Sequence, residues 1–236
     1  MFWTEESIAF LRDAAAINRY YETIAERIAP QLPENAHICD AGCGIGELSL
    51  ALKPYCHHVT AVDADALAIK TLKAHLIEGV TARCDDMETL APEKPYDAMV
   101  FCLFGRTEDT LRIARKQCRG RIFLVKSDYS HHRFSAGKVS LGEYTAGSTE
   151  AVLHEKGIPY TVERFTAEFG QPFRSLEAAE RFFALYNRSR SGTLSKDEIK
   201  ARLTEGPSEE FPYYLPHKKA LCLFTVETAD IPEKAI

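Results

Sequence analysis

The 236-residue sequence predicts an α/β fold built on a mostly parallel sheet. Short apolar runs alternate with helix-like runs between residues 36 and 127, the pattern of βαβ crossovers. The runs are apolar at nearly every position, as in "AMVFCLF", which fits strands covered on both faces. A glycine-rich stretch, "DAGCGIGEL" (40–48), separates the first such strand from the first such helix. In open parallel sheets that is where ligands meet the backbone.

Taken in order, residues 4–30 read as a helix. Thr4 can cap it, Glu5 and Glu6 stand in its first turn, and Ile17, Tyr21, Ile24 and Ile28 recur at 4-3-4 spacing. "PQLPEN" ends it. Strands follow at 36–41, 58–63, 79–84, 96–104 and 121–127, with helices at 46–55, 64–76 and 107–118 between them. Residues 128–146 are polar, and "STEAVLHEKG" reads as a further helix. Two last strands are expected at 159–170 and 218–227, with helical stretches at 175–187 and 195–204 between them. There is no internal repeat and no low-complexity tract.

Composition narrows the function classes. A net charge of −5 and a pI near 5.9 argue against a broad electrostatic grip on nucleic acid. The seven cysteines are odd in number, scattered, and contain no C-x-x-C pair, which suits a reduced cytoplasmic protein better than a disulfide framework or a zinc site. "MFWTEESIAF" carries acids where a secretion signal carries bases. The longest apolar runs are too short to span a bilayer, so no membrane association is expected.

The glycine loop itself discriminates between ligands. It lacks the lysine of a P-loop. It departs from a dinucleotide fingerprint because its third glycine comes one residue early, and Glu47 stands where the last glycine should be. A glutamate at a helix N-terminus also repels pyrophosphate. The loop therefore suits a nucleoside ligand without phosphates. Asp63, at the end of the second strand, can accept from both ribose hydroxyls, and Asp85 and Asp86 stand at the end of the third strand, within reach of an adenine amino group. Each acid taken singly also reads as a helix N-cap.

In "CDAGCGIG" (39–46), "VTAVDADALAI" (59–69), "CDDMETL" (84–90) and "YDAMVF" (96–101), the sequence resembles the class I S-adenosylmethionine-dependent methyltransferases. The resemblance covers residues 36–127 well and the last two strands in layout only. It implies a three-layer αβα sandwich whose seven-stranded sheet has its last strand antiparallel. Residues 34–170 would form the cofactor-binding core, 1–33 an N-terminal helical cap, 171–217 a helical insertion, and 218–236 the final strand and tail of a single domain. It further implies S-adenosyl-L-methionine as cofactor, contacted by Asp40, Gly42, Cys43, Gly44 and Gly46 of the loop. Asp63 and Ala64 would lie at the ribose, and Asp85, Asp86, Met87 and Phe101 around the adenine side.

A sulfonium methyl donor is reactive already, and alignment with exclusion of water supplies most of what an enzyme must add. On the acceptor side, Asp128, Tyr129, His131 and His132 in "KSDYSHHRF" (126–134) are the candidates to orient or deprotonate a substrate, against the plainer reading of a solvated loop. Adjacent histidines in an extended run point apart, so no metal is assigned to them. "CLFG" (102–105) stands where family members that methylate base amines or glutamine carry an Asn/Asp-Pro-Pro-Tyr-type motif, so a small-molecule acceptor is expected. Trp3, Tyr20, Tyr21 and "FPYYLPH" (211–217) could form an aromatic lid over it, or could be core. "NRSRSGTLSKDE" (187–198) has the outline of a calcium loop, but Asn187, Ser189 and Ser191 bring no carboxylates, and Ser195 with Glu198 makes a simpler capping box. Three alternatives remain: a nucleic-acid methyltransferase, a nonenzymatic S-adenosylmethionine-binding regulatory module, and an NAD-dependent oxidoreductase. The sequence leaves open which acceptor atom is methylated, and it leaves the oligomeric state open too.

Overall fold

The computed structural model describes residues 3–75, 77–190 and 192–233. At its centre is a seven-stranded sheet. Five parallel strands come first in the chain: β1 (His37–Ala41), β2 (His58–Asp63), β3 (Val80–Cys84), β4 (Tyr96–Cys102) and β5 (Cys118–Ser127). β6 (Thr161–Glu168) and β10 (Lys218–Glu227) complete it, and the spatial order is β3-β2-β1-β4-β5-β10-β6. β10 lies antiparallel between β5 and β6, so the last strand alone runs against the rest. The seven-stranded α/β expectation is met.

Side-chain alternation along the strands builds two cores. Cys39, Met99 and Phe101 face one side, and Ile38, Ala98 and Val100 face the other. The first side is covered by α5 (Thr107–Gln117) and α6 (Ala146–Glu155), the second by α2 (Tyr20–Ile28) and α3 (Glu47–Leu52). Burial on both faces explains why these strands read as continuous apolar runs. α4 (Ala66–Lys73) crosses from β2 to β3, and Asp65 caps it by accepting from the N–H groups of Leu67 and Ala68.

The N-terminal helix differs from the single span expected. It is two helices, α1 (Glu5–Ile17) and α2, broken at Asn18. The buried Asn18 amide donates to the Ala14 carbonyl at 2.7 Å and to the Gly170 carbonyl at 2.9 Å. A contact to a residue 152 positions away overrides helix propensity here. The break also divides the 4-3-4 set: Ile24 and Ile28 are buried, whereas Ile17 is 39% exposed.

The segment 171–217, expected as helical, holds α7 (Leu176–Tyr186), α8 (Lys196–Lys200) and a three-stranded sheet. β7 (Gln171–Phe173) and β8 (Thr204–Glu205) flank β9 (Tyr213–Leu215) in that sheet. Strands of two or three residues carry no readable period. Phe10 of α1 joins Phe173, Phe182, Phe183 and Leu215 in a separate aromatic cluster, which ties α1 to this segment. Ser195 and Glu198 form the expected capping box at the start of α8. Ser191 lies outside the described residues.

Candidate functional site

The chain runs from β1 outward to β3 and then crosses back to β4, so β1 and β4 flank the point where the sheet order reverses. Loops leaving their carboxyl ends bound a crevice there. The glycine loop after β1 is fixed by its neighbour β2. Gly42 and Cys43 donate their N–H groups to the Val62 carbonyl at 2.8 and 3.0 Å. Gly44 donates to Oδ2 of Asp63 at 2.8 Å, and Oδ1 of Asp63 accepts from the Asp65 N–H at 2.9 Å. Because Asp65 is the cap of α4, Asp63 is not needed for that purpose.

Two glycines of the loop are required by close approach. Gly42 has φ +71°, and a Cβ there would lie 2.1 Å from the Phe104 ring. Gly44 has φ +55°, and a Cβ there would lie 2.6 Å from the Trp3 indole. Trp3 is further held by its backbone N–H, which donates to Oδ2 of Asp65 at 3.1 Å.

A cavity of about 950 Å³ opens over the loop. Of the residues expected at a cofactor, Asp40, Gly42, Cys43, Gly44, Asp63, Ala64, Asp85, Asp86 and Met87 all line it. Gly46 and Phe101 do not. Gly46 is the N-cap of α3 and packs against Leu72. Phe101 falls on the α5/α6 side of β4 and is fully buried there, one residue before the strand reaches the crevice. Asp40 is buried, accepts a 2.6 Å hydrogen bond from Ser49, and is pushed up to about 6 by loss of solvation. Asp85 pairs with Arg83 at 2.8 Å, while Asp86 accepts from the Glu88 N–H. Glu47 begins α3 at the cavity wall, and burial raises its carboxyl above the usual range.

None of the four residues expected to handle the acceptor borders the cavity. Asp128 is exposed and faces Arg164 at 3.7 Å. Tyr129 is half-buried outside the cavity wall. His131 is exposed against Ser130, and His132 turns to Ser135 and Phe134. The physical reason is that the chain folds on itself after β5. His132 donates its N–H to Val139 and Leu141 donates to Ser130, making a small hairpin that turns its side chains toward α7. Among the described residues, no group of histidines, cysteines and carboxylates is placed to hold a metal ion.

Tyr20, Tyr21, Cys102, Phe169 and Lys219 line the cavity instead. Tyr20 and Tyr21 were legible as lid candidates, and Trp3 also lines the cavity. Residues 211–217 do not line it, because β9 carries them into the smaller sheet. Lys219 had a weak sequence signal, the second of two lysines that begin the strand "KKALCLF".

Near the same strand, His217 is 3% exposed with both ring nitrogens unpartnered among the described residues, and it packs on Phe134. Burial, reinforced by Lys219, Arg133 and His132, pushes it down to about 3. The unfolded chain binds a proton near pH 6.5 and the folded one does not until near pH 3, so stability falls as pH drops through that window. Going to pH 5 is expected to cost ~2 kcal/mol from this group. Denaturant midpoints at pH 7 and pH 5 test this, since His217→Phe keeps the ring packing and should reduce the pH dependence; an equal loss in both proteins would refute it.

Residues 38–119 match the family described as "Methyltransferase domain". No curated protein matches the chain. Among solved structures, it is similar to a candidate type II methyltransferase from Anaeromyxobacter dehalogenans, with 15% identity, a TM-score of 0.59, and coverage of 89% of this chain and 97% of that one. It is also similar to the YcgJ protein of Bacillus subtilis, with 15% identity, a TM-score of 0.54, and coverage of 87% and 97%. A third is the N-methyltransferase NodS of Bradyrhizobium japonicum WM9, with 15% identity, a TM-score of 0.51, and coverage of 87% and 93%. At these identities the structural likeness speaks to the fold.

Proposed function

We propose that this chain, whose residues 38–119 match a methyltransferase domain, is a class I methyltransferase that uses S-adenosyl-L-methionine to methylate a small-molecule acceptor. The observation that carries this reading is the glycine loop pinned to Asp63 beneath a cavity at the β1/β4 switch point. The residues fit the cofactor. Gly42 and Gly44 let the Phe104 ring and the Trp3 indole close on the loop backbone, which gives the site flat aromatic walls. Asp63 keeps lone pairs for ribose hydroxyls beyond its two backbone bonds. Asp85 and Asp86 line the wall at the end of β3, where an adenine amino group would find acceptors. Glu47 at the cavity wall argues against a pyrophosphate and so against NAD.

When bound, the cofactor supplies an activated methyl group. This chain's own residues then have two tasks, alignment and dryness. Trp3, Leu11 and Leu67 supply apolar wall on the side of α1 and α4. Tyr20, Tyr21 and Phe169 form an aromatic pocket at the other end.

Trp3 is the chain's one tryptophan and sits against the glycine loop, so its emission reports on the site directly. Titration with S-adenosylhomocysteine is expected to change Trp3 fluorescence with a micromolar midpoint that calorimetry reproduces. NAD in parallel should leave both signals flat. Heat and fluorescence responses to NAD alone would overturn the reading.

A further inference from the structure

We infer that the acceptor is a small anion, held at the aromatic end of the cavity by the ammonium group of Lys219. This rests on the reading above and names the substrate class of that same site. The cavity wall is acidic: Asp40, Glu47, Asp63, Asp65, Asp85 and Asp86 all line it, and Asp40 and Glu47 lie near Tyr21. Lys219 is the one cationic side chain among the described lining residues, and it stands against Tyr20 and Phe169.

Lys219 arrives there by strand register. It is the second residue of β10, opposite Ala167, and Phe169 follows just beyond the end of β6. Its Nζ lies 4.4 Å from the Phe169 ring centroid and 4.8 Å from that of Tyr20. Those two rings are themselves 4.3 Å apart. Among the described residues the ammonium has no carboxylate partner and no hydrogen-bond acceptor. Ring faces recover part of the lost hydration, but an ammonium group carries three donors, and rings satisfy none of them as an oxygen would. Lys219 is half-buried, and the neighbouring Tyr20 hydroxyl is fully buried without a partner. Buried polar groups left unpaired in a cavity wall mark the place of a ligand oxygen.

The group's surroundings agree. Burial pulls Lys219 down to about 8, with only the Cys102 thiol opposing. An anion beside it would offset that cost, which a neutral acceptor could not do. Tyr20, Tyr21 and Phe169 crowd the space around the ammonium and favour a compact, flat molecule. The cofactor's own α-carboxylate has the same chemistry as such an acceptor, so the test must separate the two.

The probes are benzoate and its uncharged isostere benzamide, titrated into protein saturated with S-adenosylhomocysteine. Wild type is expected to bind benzoate at least about tenfold more tightly than benzamide. Lys219→Met keeps the alkyl stem over both rings; it should abolish that preference while changing S-adenosylhomocysteine affinity less than twofold. Lys219→Arg should restore part of the preference. Equal binding of the two probes by wild type, including silence toward both, overturns the inference. So does a Lys219→Met protein that loses S-adenosylhomocysteine affinity and keeps the preference, because the lysine would then serve the cofactor's carboxylate. If wild type fails to take up S-adenosylhomocysteine, the methyltransferase reading fails. The benzoate preference of the unliganded protein then still decides the anion site.

Discussion

Replacing Asp63 by alanine is expected to weaken S-adenosylhomocysteine binding by about a hundredfold, or ~2.7 kcal/mol. The carboxylate does two things at once. It offers acceptors to the ribose, and its Oδ2 holds the Gly44 N–H and thereby the shape of the loop. The alanine variant loses both functions. Asp63→Asn separates them: one amide oxygen can still hold a backbone N–H, but the amide nitrogen opposes the second donor and the charge is gone. The asparagine variant should therefore fall between wild type and alanine. Calorimetry on folded variants measures this, and wild-type affinity in the alanine variant would remove Asp63 from the site.

The second large effect is expected at Lys126, which no sequence motif marks. It is 1% exposed within β5, and its ammonium donates to the carbonyls of Phe104 at 3.2 Å and Gly105 at 2.8 Å. Burial pulls it down to about 8. The loop it holds is strained: Leu103 has φ +54°, uncommon for a residue with a branched side chain. Lys126→Met keeps the volume but leaves two carbonyls without their donor, which is expected to cost ~2–3 kcal/mol after credit for removing a buried charge. In a chain of this size that is a fall in Tm of roughly 5–10 °C. Because Phe104 rests on Gly42, the same variant should also weaken S-adenosylhomocysteine binding. An unchanged melting curve together with unchanged affinity would show that the loop holds itself.

The half of the cavity around the glycine loop was legible in the sequence because its determinants are local. A loop of alternate glycines and an acid at a strand end both lie within a few residues of the strands that position them. The aromatic half of the cavity is built by register between distant segments. Lys219 faces the cavity because β10 inserts antiparallel between β5 and β6, and Phe169 meets it across 50 residues of chain. Single-sequence patterns do not encode that pairing. The residues expected at the rim, His131 and His132, failed for the same reason: the hairpin that turns them away is fixed by partners at Val139 and Ser135. Likewise the break at Asn18 depends on Gly170.

The position of β10 also orders the events of folding. β1 to β5 are consecutive in the chain and pair with one another in parallel. β6 has no partner in the large sheet except β10, and β10 is the last strand to be made. During synthesis β5 therefore presents an open edge while β6, the hairpin and the smaller sheet emerge, and the pairing of residue 127 with residue 221 closes it late. A nascent chain stalled before residue 218 would hold the glycine loop and Asp63 but lack Lys219, leaving β6 with no strand to join.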